Sequence, residues 1–169
     1  YGGGLALEGT YKTASGADDT YNNQSKTTVD TVNIWLQNGA VEGNVYAGGL
    51  VSAADGEDTA ATSEVGTANV MLYNDQVLGE TSTVDGSGAE TANMILASET
   101  GAFAFADGQK VVAFDNITST ADVIGMNYDF GAKDTTNVVG TVNFASITGD
   151  NTKTMNIGTT ESAGIASIS

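Results

Sequence analysis

The acidic side chains are the residues of this chain whose type and spacing could support catalysis or metal binding. The groups are Asp18-Asp19, Asp55 with Glu57 and Asp58, and the single residues Asp134 and Asp150. Paired carboxylates can divide the acid and base roles of a polysaccharide-cleaving enzyme. Clustered carboxylates can also bind Ca²⁺, which takes about six to eight oxygen ligands. The acidic groups therefore raise two hypotheses, a polysaccharide-active enzyme and a calcium site.

The residues that usually accompany such chemistry are scarce. The chain has no His, no Cys and no Arg, and its five Lys residues are scattered along the sequence. No acidic group has the spaced Asp-x-Asp-x-Asp-Gly pattern of a calcium loop, and no Ser-x-x-Lys pattern offers a base to a serine nucleophile. We therefore predict that the chain is not an enzyme, with no catalytic residue, no metal site and no cofactor, and that the acidic groups are solvated loops.

The net charge restricts the partners. The formal charge is -16, with 21 acidic residues against five Lys, and the pI is about 4.1. Nucleic acid binding depends on Lys and Arg that neutralise phosphates, so we predict no nucleic acid partner. No apolar run approaches the length of a membrane helix, so we predict no membrane insertion of this segment.

Composition and local alternation predict an all-β fold. The chain contains 23 Thr, 22 Gly, 14 Asn and no Pro, which is typical of many short strands joined by tight turns. The predicted strands are Leu5–Tyr11, Val29–Leu36, Val41–Tyr46, Ala68–Tyr73, Ala92–Ala97, Ala102–Phe105, Val111–Phe114, Val123–Tyr128, Val138–Phe144 and Met155–Ile157. No segment carries a helical stripe with caps.

A four-residue pattern recurs along the chain: Thr, any residue, Asn, then an apolar residue. Its six copies begin at Thr31, Thr67, Thr91, Thr135, Thr141 and Thr154. The copies at 67, 91 and 141 predict a repeat of about 24 residues, and the longer interval before Thr67 contains an acidic excursion from Ser52 to Glu64. The copies at Thr135 and Thr154 do not fit this spacing.

A second string also recurs. Tyr1-Gly2-Gly3-Gly4-Leu5 matches Tyr46-Ala47-Gly48-Gly49-Leu50, and each copy precedes a polar stretch and then a Thr-x-Asn strand. We therefore expect residues 1–169 to be a single repetitive β domain that is a fragment of a longer chain.

Short strands at a repeat near 24 residues favour a parallel β-solenoid, in which each coil stacks on the next. Stacking would align Asn33, Asn69 and Asn93 so that their side-chain amides form a hydrogen-bonded ladder. An antiparallel β-sandwich, whose strands also recur between turns, remains the alternative.

The strings Val32–Val41 and Gly43–Gly49 resemble the passenger regions of bacterial autotransporters and related large repetitive adhesins. The likeness spans residues 28 to 100. It implies a right-handed β-helix that is exported and displayed on the cell surface. The small-residue tail from Ser162 to Ser169 does not resemble the membrane barrel that ends those proteins.

These observations lead to one functional hypothesis and two alternatives. We expect a secreted, extracellular module of the bacterial cell surface that is structural or adhesive, with host or neighbouring-cell molecules as partners. Asp55, Glu57 and Asp58 form the loop expected to face such a partner. The alternatives are a filament subunit that assembles with itself through an end strand such as Leu5–Tyr11, and a polysaccharide-active enzyme using Asp18 and Asp19. Trp35 is expected to pack in the core or under a covering loop.

Overall fold

The described part of the chain consists of strands. The computed structural model describes residues 3, 5–7, 9–12, 15–16, 18–21, 26–52, 62–73, 78–99 and 101–158. Within these ranges the chain is all-β, without helices, which confirms the predicted class. No element there is a helix of the length and apolar character needed to cross a membrane.

The strands, in chain order, are β1 (Leu5–Leu7), β2 (Gly9–Lys12), β3 (Asp18–Tyr21), β4 (Lys26–Leu36), β5 (Val45–Tyr46), β6 (Leu50–Ser52), β7 (Thr62–Leu72), β8 (Thr83–Asp85), β9 (Ala89–Leu96), β10 (Ala102–Ala104), β11 (Lys110–Val112), β12 (Asn116–Ser119), β13 (Asp122–Asp129), β14 (Thr135–Val139), β15 (Val142–Thr148) and β16 (Thr154–Ile157).

Two parallel sheets of six strands make up most of the structure. The first, which we call the asparagine sheet, has the order β16-β14-β12-β9-β7-β4. The second sheet has the order β10-β13-β11-β8-β5, with β15 also paired to β13. Every strand pair in both sheets is parallel, so the antiparallel sandwich is wrong for this part of the chain. From β4 onward the chain returns repeatedly to the asparagine sheet, one strand further along each time, and passes through the second sheet between these returns.

The core lies between the two sheets. In β7 the side chains of Ala68, Val70 and Leu72 are fully buried, whereas the residues between them are only partly buried. This alternation follows from the two-residue period of a strand. Val84 and Val111 of the second sheet belong to the same apolar cluster. Burying each of these Val and Leu side chains contributes roughly 1.5–3 kcal/mol to folding.

Two predicted strands are each divided in the structure. The expected strand Leu5–Tyr11 consists of β1 and β2, which belong to different sheets and pair with β6 and β3. The expected strand Val138–Phe144 divides into the end of β14 and the start of β15, which belong to different sheets. Gly140 lies between them with φ +103°, a left-handed conformation that favours glycine. A Cβ at this position would lie 2.3 Å from the backbone oxygen of Ser119. The alternation of apolar residues does not reveal that the chain changes sheet here.

Two other predicted boundaries also differ. Only Val45–Tyr46 of the expected strand Val41–Tyr46 is a strand, and Val41 makes an isolated parallel bridge with Leu78. The excursion predicted from Ser52 to Glu64 is shorter, because Thr62–Glu64 already belong to β7 and Ser52 ends β6.

The repeated Gly-Gly-Leu strings lie side by side. Leu5 pairs with Leu50 in the parallel pair β1–β6, and the backbone N–H of Gly3 donates to the carbonyl of Gly48 at 3.0 Å. Gly88 lies on the other side of Gly48, so close that a Cβ on Gly48 would be 2.5 Å from the Gly88 Cα. The backbones approach closely here because these positions have no side chain.

Candidate functional site

A continuous ladder of asparagine side chains runs across the asparagine sheet. Its six members are Asn33, Asn69, Asn93, Asn116, Asn137 and Asn156. The amide Nδ2 of each residue donates to the Oδ1 of the preceding one, at distances of 2.9, 2.8, 2.8, 2.9 and 3.0 Å in that order. The four inner members are partly buried, and the two terminal ones are exposed.

The ladder has a direction. Because all five bonds run from the later residue to the earlier one, the amide N–H groups point toward β4 and the amide oxygens toward β16. Each inner amide both donates and accepts, and chains of hydrogen bonds of this kind polarise one another cooperatively. The ladder therefore fixes the register of all six strands.

The spacing of the ladder corrects the predicted repeat. Successive members are separated by 36, 24, 23, 21 and 19 residues, so the repeat shortens along the chain. The structure brings Asn33, Asn69 and Asn93 together as the sequence suggested, and it adds Asn137 and Asn156, which did not fit a 24-residue repeat. Asn143, which did fit, lies in β15 of the second sheet. Asn116 was missed because no Thr stands two residues before it.

Two further columns of side chains flank the ladder on the outward face of the sheet. Thr31, Thr67 and Thr91 are aligned on one side. On the other side the aligned residues are Trp35, Met71, Ile95, Thr118 and Val139. Trp35 is 68% exposed, so the expectation that it packs in the core is wrong. By contrast, the aromatic residues Phe103, Phe105, Phe114, Tyr128 and Phe130 are buried.

A partly buried ion pair lies beside the ladder. The Lys133 Nζ is 2.8 Å from the Asp115 Oδ2 and also donates to the backbone oxygens of Ala89 and Glu90 at 2.9 and 2.7 Å. The same carboxylate accepts the backbone N–H of Ala92 at 2.7 Å. Lys133 therefore ties the turn before β14 to β9 and β12, a role that its position in the sequence did not indicate.

The next turn repeats this arrangement. Lys153 donates to the Asp134 carboxylate at 2.8 Å, and this hydrogen bond raises the pKa of the Lys153 ammonium. In the same turn the Asp150 carboxylate accepts from the side chain and the backbone N–H of Thr152. These bonds lower the pKa of the Asp150 carboxyl. Both shifts favour the charged form of the group.

The second sheet contains a buried polar cluster at Tyr128. The hydroxyl of Tyr128 donates to the Phe114 carbonyl at 2.9 Å and lies 2.6 Å from the Thr136 Oγ1. Burial raises the pKa of the Tyr128 phenol. The cluster joins the second sheet to β14 through Thr136. Since Tyr128 is 1% exposed and its hydroxyl is hydrogen-bonded, the cluster has no access to a substrate.

An open recess of about 560 Å³ lies where the turn between β8 and β9 meets β4 and β7. Its lining includes the acidic residues Asp30, Glu64 and Glu90. Among the described residues no group of three or more acidic side chains is placed to hold a metal ion. The recess is therefore an acidic surface feature without the geometry of a cation site.

Two further predicted sites remain, the pair Asp18-Asp19 and the acidic loop. Asp18 and Asp19 lie in β3, where their backbones pair with Lys12 and Tyr11 of β2 in an antiparallel hairpin. Asp55, Glu57 and Asp58, the predicted partner-facing loop, lie outside the described residues.

Comparisons of the chain with family models, with curated proteins and with solved structures found no match.

Proposed function

We propose that this chain is a β-solenoid segment of a secreted bacterial surface protein, and that it forms a rigid stem without catalytic activity. The single observation that carries the proposal is the asparagine ladder, in which each return of the chain to the first sheet adds one strand and one amide. We call each such circuit a coil. Five strand spacings across the ladder give the stem a length of about 24 Å.

The charges of the segment support a structural role. Lys133 and Lys153 are engaged by carboxylates, and the Tyr128 hydroxyl is buried between two partners. Groups tied in this way stiffen the coils, whereas a general acid or base must reach its substrate. The charge of -16 keeps such a surface soluble outside the cell. The resemblance to autotransporter passengers and adhesins favours a right-handed solenoid and display at the cell surface.

Two insertions leave the proposed stem at equivalent places. The hairpin β2–β3 follows β1 and precedes β4, and residues 53–61 follow β6 and precede β7. Because Leu7 pairs with Ser52 and Lys26 with Thr62, the residues that flank the hairpin lie beside those that flank residues 53–61, at one side of the stem. We propose that this side meets the partner, a host or neighbouring-cell molecule, and that Asp55, Glu57 and Asp58 belong to the contact.

Deleting one coil tests the solenoid. Removal of residues 117–137 joins Asn116 to Val138. Val138 then takes the place of Ile117, the residue with which it pairs in the unaltered chain. In a solenoid the shortened chain stacks one coil fewer, keeps a strand-rich circular dichroism spectrum and unfolds cooperatively. The matched control removes residues 126–137, which joins Gly125 of β13 to Val138 of β14. A strand of the second sheet then runs directly into residues of the asparagine sheet, so the strand that follows is left on the wrong side of the core. If the full-coil deletion unfolds like the control, the solenoid is wrong.

Surface display needs a separate test in cells that make the protein. Antibodies raised against the 169-residue chain should label intact cells, and external protease should remove the label. Labelling that requires permeabilised cells would contradict display and leave the solenoid untouched.

A further inference from the structure

The edge strands of the asparagine sheet are β4 and β16. Among the described residues, no strand pairs with the outer edge of β4 or with the outer edge of β16. Asn33 and Asn156, the terminal members of the ladder, are both exposed. Ile157 at the β16 edge is 36% exposed, and Ile34 at the β4 edge is only partly covered. Parallel strands with free backbone groups and uncovered apolar residues are templates for further pairing.

The two edges are complementary because the ladder has a direction. Asn33 uses its Oδ1 to accept from Asn69, so its Nδ2 is the donor left for a further strand. Asn156 uses its Nδ2 to donate to Asn137, so its Oδ1 is the acceptor left over. A donor at one end and an acceptor at the other fit head to tail, whereas two like ends do not.

The side chains of the two edge strands also correspond one to one. With Asn156 beside Asn33 of a second copy, Thr154 aligns with Thr31, Met155 with Val32 and Ile157 with Ile34. The outward Thr and Asn columns then continue across the junction, and apolar residues meet apolar residues in the core. This is the register that β14 and β16 already use within one chain.

Two exposed residues gain partners in the same register. Trp35, 68% exposed on β4, aligns with Gly158, where the lack of a side chain would let the indole ring pack against the backbone at the end of β16. Asp30, exposed three residues before Asn33, aligns with Lys153, which stands three residues before Asn156. Lys153 already pairs with Asp134 in the preceding coil, so Asp30 of the second copy would place a carboxylate on its other side.

We propose that the outer edges of β4 and β16 are a complementary pair through which copies of this chain stack head to tail, continuing the asparagine ladder from one copy into the next. This inference rests on the proposed solenoid, since only a repeating coil offers the same strand position at both ends. It makes the chain a self-associating unit whose partner is a second copy of itself.

Disulfide cross-linking tests the register directly, because the chain has no cysteine. Adjacent strands are about 4.8 Å apart, within the Cα separation of about 4.4–6.8 Å that a disulfide accepts. Under mild oxidation the mixtures Asn33→Cys with Asn156→Cys and Thr31→Cys with Thr154→Cys should give covalent dimers. The crossed mixtures, two residues or about 7 Å out of register, should give several-fold less. Equal yields from matched and crossed mixtures would overturn the proposal.

Intrinsic fluorescence gives an independent measurement on the unaltered chain, since Trp35 is its only tryptophan. Raising the protein concentration should move its emission to shorter wavelength as the indole is covered, in step with the mass measured by sedimentation. Salt should promote the change, because it screens the repulsion between copies that each carry a charge of -16. A chain that stays monomeric with unchanged emission at all concentrations and salt levels would contradict stacking.

The two proposals fail separately. Absence of matched cross-links in a chain whose full-coil deletion folds would overturn head-to-tail stacking and leave the solenoid in place. Unfolding of the full-coil deletion would overturn the solenoid, and the stacking inference with it.

Discussion

The two six-stranded sheets hold their strands in register by different means. In the asparagine sheet the same amide stands on every strand, and five hydrogen bonds of 2.8–3.0 Å join them. In the second sheet no such column exists among the described residues. Its strands β13 and β15 shift register near Met126, and Gly125 has a left-handed φ of +75°. The asparagine sheet therefore keeps one regular register, whereas the irregular pairing and the left-handed glycine lie in the second sheet.

This difference explains how the repeat can shorten without breaking the ladder. The interval between ladder members falls from 36 to 19 residues, while the pairing of Asn with Asn is kept at every step. The change in length is taken up between the visits to the asparagine sheet, where the second sheet and its connections lie. A stack of this kind needs strict register on one face only.

The crossing between the sheets should be the most sensitive position. Gly140→Ala adds a Cβ that would lie 2.3 Å from the Ser119 oxygen and forces a side chain into a left-handed φ, so we expect a loss of about 3 kcal/mol in the free energy of unfolding. Gly39→Ala is the matched control, since Gly39 has a similar φ of +95° but no atom within 4 Å of the added Cβ. Urea denaturation measures both, and equal losses would show that the close approach is unimportant.

An inner rung of the ladder should matter more than an end rung. Asn93→Ala removes two amide bonds and leaves the Oδ1 of Asn69 and the Nδ2 of Asn116 without partners, which we expect to cost about 2 kcal/mol. Asn156→Ala removes one bond at an exposed edge and should cost about 0.5 kcal/mol. If the two variants have the same urea midpoint, the ladder does not set the stability of the asparagine sheet.

The polar cluster of the second sheet should rank next. Tyr128→Phe removes a hydroxyl that contacts Phe114 and Thr136, and we expect a loss of about 1 kcal/mol because Thr136 still donates to the Phe114 carbonyl. Tyr46→Phe, at a half-buried position whose hydroxyl accepts from Asn44, is the control and should change stability by less than about 0.5 kcal/mol. A larger loss than that of Asn93→Ala would mean that the second sheet carries more of the stability.

The pH dependence of Tyr128 has a definite sign. Because its folded pKa is raised above the unfolded value, the stability it contributes is fully present below about pH 10 and is lost as pH rises through the folded pKa. Tyr128→Phe should therefore flatten the fall in urea midpoint above pH 10 that the unaltered chain shows. If the urea midpoint of Tyr128→Phe falls as steeply above pH 10 as that of the unaltered chain, other groups cause the loss of stability at alkaline pH.

The sequence predicted the asparagine sheet better than the second one. Thr-x-Asn at Thr31, Thr67 and Thr91 marks three aligned strands, because a ladder of side-chain amides needs an Asn at the same position of each strand. The sequence could not separate Asn137 from Asn143, since both follow Thr-x and only the backbone bend at Gly140 puts them in different sheets. Alternation reveals which face of a strand is buried and not which sheet it joins. The ion pair of Lys133 and Asp115 was missed because its partners are brought together only by the stacking.

The turn that returns the chain from β15 to β16 should show the smallest effect, and it is specific to one carboxylate. The bonds from Thr152 lower the pKa of Asp150, so this group contributes stability that is present above its unfolded pKa and is lost as pH falls through the folded pKa. Asp150→Asn keeps the size and an acceptor oxygen but cannot titrate, and it should slightly weaken the dependence of the urea midpoint on pH below about pH 4.

Thr152→Val removes the side-chain donor and keeps the backbone one, so the pKa of Asp150 measured by NMR titration should move part of the way back toward its ordinary value. If Thr152→Val leaves the pKa of Asp150 as it is in the unaltered chain, the backbone N–H of Thr152 and Lys153 lower that pKa by themselves.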